Sequence, residues 1–187
     1  MIFGRAGVAR SVPWVCAVFV VGVVLAGCSG GPQGPFPDRP ADIDVSTVDL
    51  CTALTAEERA ELGVEAGEAK TAELNNGPTR ICGWSNFDDG YNYGVQTIAD
   101  GAMVAVGIPG STVQVVDGYG VVVETTQETV APRCALYVDV AETQALRVQV
   151  RAIKNDDAGR IPSIETVCGR AESVVSSALR NLGGAGS

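Results

Sequence analysis

Residues 133–152 read RCALYVDVAETQALRVQVRA, and their apolar positions recur with a period of two. Cys134, Leu136, Val138 and Val140 fall on one face, and beyond the AETQ turn Leu146, Val148 and Val150 join them. Arg147, Gln149 and Arg151 point to the opposite side. A strand pair with one apolar and one polar face is the mark of an antiparallel sheet packed on a single side, because a slip of one residue would turn every apolar group outward.

Working outward, residues 113–116 and 119–125 flank Asp117-Gly118, the dipeptide that most favours a tight hairpin. Residues 103–106 are expected as a further short apolar strand. RICGWSNF (80–87) and YNYGVQTIA (91–99) flank Asp88-Asp89-Gly90 as a second hairpin. Residues 65–78 carry no clear period and end in Asn75-Asn76-Gly77-Pro78, which reads as loop. Thr55 followed by Glu58 is a capping-box pattern, so a short helix is expected up to Leu62, stopping at Gly63. After NDDAGRIP, apolar or small residues at Ile164, Val167, Cys168, Ala171, Val174, Val175, Ala178 and Leu182 have helical spacing, with Ser163 as N-cap. The expected class is α+β: an antiparallel sheet of five to seven strands, a short N-terminal helix and a long C-terminal helix laid on the sheet. Strands and helices do not alternate, which argues against a doubly wound fold.

The N-terminus gives an address. Arg5 and Arg10 precede an apolar run over residues 12–26, shorter than the ~20 residues a spanning helix needs, and the run meets Leu25-Ala26-Gly27-Cys28. LAGC resembles the lipobox of bacterial lipoproteins. That resemblance implies cleavage after residue 27, a diacylglyceryl group on Cys28 and a protein held at the outer face of the cell membrane, since two or more acyl chains anchor stably. Residues 28–48, rich in Gly and Pro, are expected as a flexible tether with a reach of roughly 25 Å. Residues 49–183 form the single α+β domain, and residues 184–187 a disordered tail.

The chain carries 13 Lys and Arg against 22 Asp and Glu, and loss of Arg5 and Arg10 with the signal lowers the basic count to 11, a formal −11. Such a balance argues against a nucleic-acid partner. The absence of histidine excludes Ser-His-Asp and Cys-His catalysis and histidine-ligated metals. No GxSxG, Walker A or GxGxxG motif is present, and carboxylate-only catalysis would need a positioned pair that sequence cannot nominate. The expectation is a protein that is not an enzyme and has no cofactor or metal.

Of six cysteines, Cys16 leaves with the signal and Cys28 is lipidated, so Cys51, Cys82, Cys134 and Cys168 remain. An even number fits disulfides in an oxidising compartment, whereas zinc sites usually bring cysteines in close pairs. Three connectivities are open. Cys51 with Cys82 and Cys134 with Cys168 is the choice that would tie a helix to a strand in each case.

DLCTALTAEERAELG, RICGW with its Cys82 and Trp84, RCALYVDV and ETVCGRAESVVSSAL follow one another in an order that resembles an actinobacterial family of cell-envelope lipoproteins catalogued as a domain of unknown function. The resemblance implies a lipid-anchored, disulfide-bonded α+β domain and transfers no catalytic residue. At fold level the expectation by analogy is a PsbP-like sandwich.

Candidate binding residues are few. Trp84, Phe87, Tyr91 and Tyr93 lie within ten residues, either as a recognition surface or as core beside a disulfide; Tyr91 and Tyr93 share a strand face and stand between the two readings. Arg147 and Arg151 either line a groove for an anionic ligand or form the wet face of a strand. The acidic stretch from Asp42 to Glu73 and the pair Asp156-Asp157 read as solvated surface. The function expected is a non-enzymatic, membrane-tethered module that binds an envelope protein or other envelope component. The alternative is a carrier of a lipid or small apolar ligand in a cavity between sheet and helix.

Overall fold

In the computed structural model, residues 133–152 fold as two central antiparallel strands, with Leu136 opposite Val148 and Val138 opposite Leu146. The structure describes residues 34–74, 77–127, 131–155 and 159–184. All of these belong to one unit, residues 32–187. The expected signal segment, Cys28, Asp156, Asp157 and the last three residues of the expected tail lie outside the described residues. A 3-10 turn, Leu50–Ala53, precedes helix α1, Ala56–Glu61. Strands β1 (Glu68–Leu74), β2 (Gly77–Asn86) and β3 (Tyr91–Ile98) follow. After a second 3-10 turn, Ala102–Ala105, come β4 (Thr112–Val116), β5 (Tyr119–Thr126), β6 (Arg133–Ala141), β7 (Gln144–Ala152) and helix α2, Ile164–Gly183. The strands form one antiparallel sheet in the order β1-β2-β3-β7-β6-β5-β4.

The expected hairpin turn at Asp117-Gly118 has positive φ at both residues, 49° and 84°, the geometry that two-residue hairpins need and that few residues other than Gly, Asn and Asp tolerate. The capping box at Thr55 and Glu58 forms reciprocally, and Ser163 caps α2 through the Thr166 amide. Helix α2 buries Val167, Ala171, Val174, Val175 and Ala178 against the sheet face that carries Val95, Leu136, Val138, Leu146, Val148 and Val150, all at 1% exposure or less. The side chains of the helix and the sheet pack there as one core cluster. Two disulfides, Cys51–Cys82 and Cys134–Cys168, each with a Cα–Cα distance of 5.2 Å, tie the first 3-10 turn to β2 and β6 to α2.

Three expectations are corrected. Of residues 103–106, expected as a strand, 103–105 belong instead to the 3-10 turn Ala102–Ala105 and Val106 caps it: Ala102 and Ala105, three apart, are fully buried while Met103 and Val104 between them face out. Within the expected loop 65–78 lies β1, which shows no period because all seven of its residues are exposed and its place rests on its backbone ladder with β2. The expected linker 28–48 docks on the domain over its described part. Ile43 and Val45 are buried at 6% and 1%, the Ile43 amide donates to the Val140 carbonyl at 2.8 Å, and Arg39 pairs with the buried Asp139 at 2.7 Å. The short apolar-polar-apolar run Ile43-Asp44-Val45 was hidden by the Gly and Pro around it.

Candidate functional site

The face of the sheet turned away from α2 follows from the same alternation. Cross-strand pairing arranges its residues in rows that run over five strands. One row is Ile81, Gln96, Arg147, Tyr137 and Val122; the next is Gly83, Gly94, Gln149, Ala135 and Glu124; the third is Ser85, Asn92, Arg151, Arg133 and Thr126. Neighbours within a row are about 5 Å apart and rows about 7 Å apart. The middle row has a low floor, since a Cβ on Gly94 would meet nothing within 4 Å.

Arg147 sits at the centre, half-buried, and is held on several sides. Its Nε donates to the Tyr137 hydroxyl at 3.2 Å, Nη1 to Gln96 Oε1 at 3.0 Å and Nη2 to Gln149 Oε1, while its guanidinium carbon lies 5.5 Å from the centre of the Tyr137 ring. Every one of these partners is uncharged. The carboxylate of these rows, Glu124, is engaged by the Tyr137 hydroxyl at 3.0 Å and by Arg133 at 3.2 Å. Burial pushes the Tyr137 phenol up, with Arg147 opposing and Glu124 reinforcing, so Tyr137 stays a neutral donor to Glu124. Three arginines thus share these rows with one glutamate, in a chain whose formal charge is −9. Asn92 Oδ1 in the third row is buried with no hydrogen-bond partner among the described residues.

The arrangement suits an anion. A guanidinium fixed by three acceptors retains N–H groups and most of its charge, and a planar fork held in place gives bidentate geometry to a carboxylate or phosphate at low ordering cost. A cleft of about 530 Å³ lined by Val45, Arg80, Thr97, Ile98 and Gln144 offers less, because the Arg80 guanidinium is engaged by the carbonyls of Val45 and Val48. Among the described residues no group of three or more Cys, Asp or Glu is placed to hold a metal ion, and no helix is long and apolar enough to cross a membrane.

The structure separates the candidate residues. Arg147 and Arg151 stand on this open face, whereas Tyr91 and Tyr93 lie on the opposite one, buried at 5% and 3%. Arg170 of α2 holds both rings, its guanidinium 4.0 Å from the centre of the Tyr91 ring and its Nη1 donating to the Tyr93 hydroxyl at 2.9 Å. Trp84 is likewise buried, under Gly67, where a Cβ would come within 2.6 Å of the indole nitrogen. The tyrosines and Trp84 are therefore core, and of the four clustered aromatics Phe87 is the exposed one. Gln96, Gln149, Tyr137 and Glu124 were missed as site residues. The register across the AETQ turn, which sets Tyr137 opposite Arg147, was the signal that could have found Tyr137.

A seven-stranded antiparallel sheet with a helix on one face, a polar arginine-centred opposite face and a disulfide in each half defines a disulfide-bonded α+β domain. The chain belongs to the family described as "Protein of unknown function (DUF3558)", whose model matches residues 23–181. No curated protein and no solved structure matches it.

Proposed function

We propose that the protein is a lipoprotein of an actinobacterial cell envelope, anchored through Cys28 to the outer face of the cell membrane. It binds an anionic group of an envelope component on the open face of its sheet, without catalysing a reaction. At Cys28 the thiol forms a thioether to a diacylglyceryl group from a phospholipid, whose phosphate-bearing headgroup leaves with the thiol proton. The observation that carries the binding reading is Arg147, a half-buried cation whose partners among the described residues are all uncharged.

Arg147→Gln tests it. A charge-assisted contact contributes about 1.5–3 kcal/mol, so affinity for phosphate- or carboxylate-bearing envelope fragments is expected to fall roughly 10- to 150-fold in calorimetry while thermal unfolding stays cooperative. Unchanged binding in Arg147→Gln and Arg151→Gln would remove this face from the function. For the anchor, Cys28→Ala is expected to move the protein from the membrane to the aqueous fraction; retention in the membrane counts against lipidation.

A further inference from the structure

Four large apolar side chains stand exposed around one corner of the open face. Met103 and Val104 belong to the second 3-10 turn, at 53% and 54% exposure, and Val113 and Val115 to the edge strand β4, at 41% and 58%. Phe36 connects the two groups. Its ring lies so close over Gly120 that a Cβ there would come within 2.5 Å, and Gly120 is the cross-strand partner of Val115. Phe36 also packs against the cluster that contains Ala102, and it lines one cleft together with Gly34 and Met103.

That cleft is where the described chain begins. Gly34 lies six residues after Cys28, and six residues of fully extended chain span no more than about 22 Å. With the segment from Gly34 onward docked, five residues separate Cys28 from the docked chain, against the 20 expected for the linker. A chain held by lipid at Cys28 cannot carry this corner far from the bilayer.

Resting on the anchoring reading above, we infer that the apolar corner formed by Met103, Val104, Val113 and Val115 is a membrane-contact surface, whose occupant is the interfacial region of the bilayer that holds Cys28. Asp38, Asp42 and Glu142 line the same cleft and limit the contact to these side-chain tips, because carboxylates stay in the aqueous headgroup layer. Contact at this corner fixes the rotation of the domain, with the β2–β3 turn at the other end of the strands and away from the lipid.

The test is tryptophan quenching in the full, processed lipoprotein reconstituted into phosphatidylcholine vesicles containing brominated acyl chains. Met103→Trp and Val115→Trp report on the corner, and Phe87→Trp on the β2–β3 turn; the buried Trp84 supplies a constant background. Emission at 103 and 115 is expected to shift to the blue and to fall by half or more with brominated lipid, with emission at 87 unaffected. Equal, weak quenching at all three positions in protein that floats with the vesicles overturns this inference and leaves the anchor standing. A blue shift without quenching, together with a crosslinked dimer, assigns the corner to a second copy and equally overturns it. Protein that carries no lipid and does not float overturns the anchoring reading and this inference together.

Discussion

Glu58 joins two helices through a single carboxylate. Its Oε2 accepts from the Thr55 amide at 2.8 Å and from Asn181 Nδ2 at 2.7 Å, and its Oε1 from Arg180 at 3.0 Å. Burial alone would raise its pKa, but the Thr55 amide, Ser177, Asn181 and Arg180 outweigh it and hold the carboxyl at about 2, against an ordinary 4.5. The folded value lies below the unfolded one, so this stabilisation is complete above about pH 4.5 and is lost as the pH falls toward 2. The shift corresponds to about 3 kcal/mol at most. Glu58→Gln is expected to lower the urea midpoint clearly at pH 7 and to converge on the parent protein between pH 4 and 2. A constant gap across that range would show that the charge is not what matters. The capping box was legible in sequence. The reach of Glu58 to Arg180 and Asn181, more than 120 positions on, was not, since local pattern carries no information about which helix ends meet.

Among the elements, strands with one buried face announced themselves, β4 was legible through its hairpin turn, and the wholly exposed β1 was not legible. β6 and β7 alternate because each side is sorted by solvent, whereas the exposed edge strand β1 has no such sorting and read as loop. The open face was half legible for the same reason. Arg147 and Arg151 were visible as polar alternates, but which neutral side chains surround Arg147 depends on register across three strands. The disulfides bind elements that propensity alone would not hold in place. Closing a loop of 34 residues contributes about 3–4 kcal/mol, so Cys134→Ser with Cys168→Ser is expected to lower Tm by roughly 6–16 °C. Helix α2 would still form in that variant through its buried face. A drop of only a few degrees would show that the packing of α2 suffices.

At the scale of the whole molecule, the N-terminal segment belongs to the domain. A chain starting at residue 49, where composition places the boundary, lacks Ile43, Val45 and the Arg39–Asp139 pair. The two lost apolar side chains alone represent about 3–6 kcal/mol. Residues 34–187 are expected to melt cooperatively, and residues 49–187 to melt far lower or to bind hydrophobic dyes at room temperature. Equal melting of the two would return residues 34–48 to the role of a tether.

The order of strands also divides the sheet in time. β1-β2-β3 and β4-β5-β6-β7 are each made of successive hairpins, and the halves meet only where β3 pairs with β7. That seam joins residues more than 45 positions apart, so its loop-closure entropy is the slow step of assembly, while the hairpins form early. Each disulfide lies on one side of it: Cys51 and Cys82 on the first, Cys134 and Cys168 on the second. Oxidation in either half therefore needs no prior closure of the seam, and correct pairing is favoured kinetically before the native sheet exists.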